Sequence, residues 1–274
     1  GSKRRRKKGD KAKNGKMTTL VVMYTLQKWE GEQGTKLLGP RNKRVYGSYA
    51  NKRHAFAVAR RQADKRGFTR ESGKTIQLVT DGDLTLEQHA QHFFPEAIHT
   101  LDVIHAVEYL WKAGACLFRE GSEPLTKWVE ERKNQLYAGK IWDLILKIDE
   151  ILPTVKNKRK YKRLDKIADY FAKRADTMMN YGELRAQDLE ISSGVVEGAV
   201  RYVVSQRFDE GGMRWIKERA EHLLQLRCIE LNGHWDQFID FVHRRVADEQ
   251  RRKHRHHKVL TNSPESLPSY GVTP

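Results

Sequence analysis

The stretch over residues 18–27, Thr-Thr-Leu-Val-Val-Met-Tyr-Thr-Leu-Gln, is apolar and rich in β-branched residues, and it predicts a first strand. Gly31, Gly34, Gly39 and Pro40 follow and predict a turn-rich connection. Val45 and Tyr46 are the apolar part of a second strand over 43–49. Asn51 is placed to cap a helix over 52–66, whose apolar stripe is Ala55, Phe56, Val58, Ala59 and Ala63 and whose stop is Gly67. Residues 74–80 read as a third strand that runs directly into Asp81-Gly82-Asp83. A short helix over 85–93, closed by Pro95, and a fourth strand over 97–104 come next. The order strand, strand, helix, strand, helix, strand predicts an α/β portion.

After residue 105 the apolar period lengthens and nearly everything to residue 187 reads as helix. Val107, Leu110, Trp111, Leu117 and Phe118 form one stripe, and Leu125, Trp128, Val129, Leu136 and Ile141 another. Pro153 stops a third helix, and residues 156–163 read as a basic turn before the stripe Leu164, Ile167, Ala168, Tyr170, Phe171. Ser192-Ser193-Gly194 breaks the chain. Helices are expected over 195–205, 213–231 and 234–249, then a basic, His-rich segment over 251–258 and a disordered Pro/Ser/Gly-rich end.

Charge adds a partner to this picture. The 274 residues carry a formal net charge of +17, and 38% are hydrophobic, enough to build a core. Residues 3–16 hold nine Lys/Arg against one Asp. Such an arm either contacts a polyanion or solubilises the chain. Cys116 and Cys228 have no metal-type spacing and read as buried thiols in a reducing compartment. No apolar run approaches ~20 residues, so no transmembrane helix is expected. His254, His256 and His257 crowd one another and read as basic surface rather than a zinc site.

Three constellations carry candidate chemistry. Asp81-Gly82-Asp83 ends a strand, where sites form in open α/β sheets and where carboxylates bind hard cations; Asp-Gly is also a common turn dipeptide. Asp102 and His105, three apart, can meet just past the next strand end, either as a positioning pair or as a satisfied structural histidine. Glu197 opens a helix after Ser193-Gly194, where the helix dipole alone also favours an acid, and Gly194 and Gly198 permit close backbone approach. Arg201, Arg207, Arg214 and Trp215 follow as a DNA-facing set or a solvated basic face.

Taken in order, strand–Asp81-Gly82, Asp102-x-x-His105, Tyr109-Leu110-Trp111, a long helical stretch, Ser193-Gly194-x-x-Glu197, Arg207-Phe208 and Gly212-Met213-Arg214-Trp215 resemble the bacterial insertion-sequence transposases related to the Mutator superfamily. The resemblance covers roughly residues 18–250. It implies an RNase H-like mixed sheet with a large all-helical insertion, and metal-dependent DNA strand cleavage and transfer. Asp81 matches the family's second catalytic aspartate, Glu197 its glutamate, and Asp102 and His105 the motif between them; Asp83 matches no fixed catalytic position. Asp81 and Glu197 are the implied ligands of Mg²⁺ or Mn²⁺. DNA and further copies of the chain are the implied partners, in a bacterial, nucleoid-associated cytoplasmic setting with no membrane.

The implied organisation is a basic arm over 1–17, an α/β portion over 18–105, a helical insertion over 106–191, core-completing helices over 192–250 and a tail over 251–274. The family's first aspartate belongs on a strand before residue 18. Asp10, in Lys-Lys-Gly-Asp-Lys, is a poor substitute. The chain is therefore expected to be N-terminally truncated and catalytically incomplete. Two other readings stand beside this one: a transposase-derived DNA-binding protein that uses no metal, and a basic helical RNA-binding or scaffold protein with no central sheet.

Overall fold

In a computed structural model, which describes residues 17–31, 34–210 and 215–261, the chain is a mixed α/β protein built mostly of helix. Residues 1–16, with Asp10, and residues 211–214, with Arg214, lie outside the described residues.

Strands β1 (Thr19–Gly31) and β2 (Gly34–Ser48) pair antiparallel along their whole length. The second strand is thus far longer than expected. Gly39 and Pro40 lie inside it, not in a connection, because register shifts in β1 between Met23 and Gln27 absorb the irregular stretch opposite. Helix α1 (Lys52–Lys65) begins at Asn51, whose side chain accepts from the His54 N–H. Strand β3 (Gln77–Thr80) and β4 (Ile98–Leu101) form a separate parallel pair, joined through α2 (Leu84–Phe93). The strands make two two-stranded sheets, not one continuous sheet.

Both sheets rest on the same helical layer. Val21 and Met23 of β1 and Leu78 of β3 pack with Phe56, Ala59 and Ala63 of α1 and Ala90 of α2. Period-2 alternation sends Leu20 and Val22 to the opposite face of β1. There they meet Ala199 of α9 (Gly194–Val200), Val203 of a π-helical turn (Arg201–Asp209), and Leu224 and Cys228 of α10 (Lys217–Leu231). The result is helix, strand and helix in three layers.

A larger apolar core lies in the helical portion. It joins α3 (Val103–Leu117), α4 (Glu123–Tyr137), α5 (Ile141–Ile151) and α6 (Lys158–Ala172), with the short α7 (Ala175–Met178) and α8 (Tyr181–Ala186) closing it. Leu101 at the end of β4 belongs to this core, and its carbonyl accepts from the buried Tyr181 hydroxyl. Residues 156–163 are not a turn. Asn157 caps α6 by accepting from the N–H groups of Arg159 and Lys160, so the basic run forms the first turns of a helix. The last helix, α11 (Trp235–Thr261), also runs through the basic segment expected to be tail. Cys116 and Cys228 are buried free thiols, as expected. Among the described residues no helix is long and apolar enough to cross a membrane.

Candidate active site

Parallel pairing fixes the geometry at the strand ends. Thr80 lies opposite Leu101, and the Asp102 N–H donates to the Thr80 carbonyl at 2.8 Å. The next residues of the two strands, Asp81 and Asp102, therefore leave one sheet edge side by side. Their environments differ. Asp81 is exposed, and its Oδ1 accepts from the Asp83 N–H at 3.0 Å. Asp83 is committed to structure: it caps α2 through the N–H groups of Thr85 and Leu86 and pairs with Lys52 at 2.6 Å. The Lys52 hydrogen bond, with those two N–H donors, holds the Asp83 carboxyl below its ordinary range.

Asp102 is fully buried and caps α3. Its Oδ1 accepts from the N–H groups of Ile104 at 2.9 Å and Ser193 at 3.3 Å; its Oδ2 takes the Ser193 hydroxyl and lies 3.4 Å from His105 Nδ1. Neither oxygen is left over. Asp102 positions other groups, and the group it positions most directly is the start of α9: Ser193 is that helix's first flanking residue, and Glu197 sits in its first turn.

The segment leading into α9 is tied to the sheets as well. Gln77 of β3 donates to the Glu190 carbonyl at 2.6 Å and accepts from the Glu190 N–H at 3.2 Å. The Val103 N–H donates to the Ile191 carbonyl. Across on β1, burial pushes the Tyr24 phenol up to about 12, with a smaller contribution from the Glu190 carboxylate. Residues 190–193 thus run alongside both sheets before Glu197.

Gly82 shows why a glycine follows Asp81. Its φ is +77°, and a Cβ there would lie 2.0 Å from the Tyr170 hydroxyl and 2.7 Å from Leu101 Cδ1. Gly194 and Gly198 differ: a Cβ at Gly198 meets nothing within 4 Å and one at Gly194 only Ser192 Oγ at 3.9 Å, so the expected close approach is not made among the described residues. The Gly82 carbonyl accepts from Arg174, whose guanidinium also grips Glu87 of α2 with two hydrogen bonds. Gly82→Ala is expected to destabilise the fold by about 2 kcal/mol through the clash and the left-handed backbone. Tyr170→Phe should recover part of that loss in a urea-melt double-mutant cycle. Simple additivity of the two changes would show that the hydroxyl is not what excludes the side chain.

Asp81 and Glu197 are exposed and pair with no cation among the described residues. No group of three His, Cys, Asp or Glu close enough to hold a metal ion occurs among those residues. The carboxylates do not form a closed metal cage. Mg²⁺, however, is commonly held by one or two carboxylates with water and substrate phosphates completing its shell. His254 sits on α11 outside any such group, and the side chains of His256 and His257 are outside the described residues.

Of the expected DNA-facing residues, Arg201 and Arg207 lie on the π-helical turn and Trp215 just beyond it. Arg201 and Arg207 are exposed. The Arg207 guanidinium lies 6.0 Å from the Trp215 ring, which packs edge-on against Phe208 at 5.7 Å. The Trp215 indole N–H is buried without a partner among the described residues. Sequence reasoning missed a second basic surface, on α6. Arg159, Lys162, Arg163 and Lys166 follow the i, i+3, i+4, i+7 spacing of one helix face, a signal masked by reading the run as a turn.

Comparison with family models, with curated proteins and with solved structures finds no match in any of the three.

Proposed function

We propose that the chain is the catalytic core of a DNA transposase, with an RNase H-like α/β portion and a helical insertion before the last acidic helix. The observation that carries this reading is the linkage through Asp102. Parallel strands bring Asp81 and Asp102 out at one edge, and the same Asp102 carboxylate anchors the turn that starts the Glu197 helix. Asp102 thus stands beside Asp81 at the strand ends and, through Ser193, holds the backbone from which Glu197 projects. The helix–strand–helix layering around β1 also supports the proposal.

In this role Asp81 and Glu197 would be the carboxylates that hold Mg²⁺ or Mn²⁺, with coordination completed by water and DNA phosphate. The metal, when bound, would supply charge neutralisation at the scissile phosphate and activation of the attacking oxygen. The protein's own contribution is position. Asp102 and Ser193 hold the α9 start, and Gly82 and Arg174 hold the loop that carries Asp81. The basic surfaces hold the DNA backbone without reading sequence.

Mn²⁺ binding by calorimetry, with DNA binding in the presence and absence of Mg²⁺, tests the proposal. Asp81→Ala is expected to weaken Mn²⁺ binding roughly tenfold or more. Because Asp81 is exposed, it should leave stability within about 0.5 kcal/mol of the parent. A second reading is favoured by the lack of a three-ligand group among the described residues: a transposase-derived DNA-binding protein that uses no metal. DNA binding indifferent to Mg²⁺ and to Asp81→Ala, with no Mn²⁺ bound by the parent chain, would establish that reading and end the first.

A further inference from the structure

Between α3 and α6 lies a groove of about 560 Å³ that none of the expected site residues lines. One wall is the cationic face of α6: Arg159, Lys162, Arg163 and Lys166. Lys112 of α3 stands across from it, 3.4 Å from Glu108. The four α6 cations form no ion pair with any described residue, although Asp165 and Asp169 share their helix. Like charges three and four residues apart repel, and cations in the first turns of a helix oppose its dipole. An arrangement of that kind is relieved by a bound polyanion.

The floor is apolar. Ile167 and the rings of Tyr109 and Tyr170 supply it, the two rings stacked at 4.1 Å and 8°. Lys112 lies 4.5 Å from the Tyr109 ring centroid and Arg174 lies 3.9 Å from that of Tyr170. A base fits against ring edges and aliphatic stems, while phosphates meet the charged heads above. Tyr170, which lines the groove, also packs its buried hydroxyl against Gly82 beside Asp81.

We infer that this groove is a track for one strand of DNA, with α6 gripping the phosphodiester backbone and the edges of Tyr109 and Tyr170 forming the base-contacting floor. The inference rests on the transposase reading for its choice of DNA.

The test is fluorescence anisotropy of a labelled single-stranded oligodeoxynucleotide over a salt series, with the full chain. Duplex DNA and RNA of the same sequence are run beside it. Lys162→Gln/Arg163→Gln removes two exposed charges without touching the core. It is expected to lower the slope of log K against log salt by about 1.4 and to weaken binding about tenfold near physiological salt. Arg119→Gln/Lys127→Gln, outside the groove, should leave the slope unchanged. Parent binding with equal losses in both double variants would overturn the inference and leave the transposase reading standing. A loss confined to duplex DNA, or tighter binding of RNA than of DNA, would overturn the assignment to a DNA single strand. Failure of the parent chain to bind any DNA would sink both.

Discussion

Arg174→Ala is expected to cost the fold about 3–5 kcal/mol, the loss that follows when one partner of a buried ion pair is removed. The Arg174 side chain is 9% exposed and Glu87 only 17%, so water cannot replace the lost partner. Nε donates to Glu87 at 2.6 Å and Nη2 at 3.1 Å, a two-pronged grip that lysine cannot copy. The same guanidinium donates to the carbonyls of Tyr170 and Gly82. It therefore ties three pieces together: the end of α6, helix α2, and the loop after β3. Urea denaturation should show the midpoint falling sharply for Arg174→Ala and less for Arg174→Lys. A loss below about 1 kcal/mol would mean that the pair is screened like a surface salt bridge.

Asp102→Ala should be the next most damaging single change, at roughly 3 kcal/mol. Loss of a helix cap accounts for about 1 kcal/mol. Hydrogen bonds to a charged acceptor account for the rest at about 1.5–3 kcal/mol. The variant strands the Ile104 N–H and both donors of Ser193 in a site where Asp102 itself has no exposure. Asp102→Asn keeps one oxygen for the caps and should lose distinctly less. Equal losses for Ala and Asn would show that the negative charge, not the acceptor geometry, holds the network. Amide exchange at residues 194–200 should quicken in Asp102→Ala, because the α9 start loses its anchor.

Local chemistry made much of this legible in the chain. Asn51, Gly67 and the stripe from Ala55 to Ala63 bound α1 to within a residue. The strand before Asp81 and the break at Ser193-Gly194 also stand close to their expected places. Two local signals misled. Gly39-Pro40 has turn chemistry, yet a long partner strand with bulges absorbs it. The run over 156–163 has loop-like charge, yet Asn157 caps it into a helix whose other face, Leu164, Ile167 and Phe171, is buried. The pairing of strands was not legible at all. Which edge meets which is decided by α1 and α2 packing under both sheets, a contact between residues far apart in sequence. The stitching role of Asp102 was hidden for the same reason, since Ser193 lies 91 positions away.

The two thiols sit in different cores: Cys116 among helices α3 to α8, Cys228 under β1 and β2. Burial pushes both above the ordinary thiol range, so neither is a ready nucleophile at neutral pH. Each becomes reactive only when its own surroundings open. A thiol-specific dye consequently reads two clocks in one polypeptide, one per core. Whether they tick together tells whether the halves come apart as one cooperative unit or in sequence.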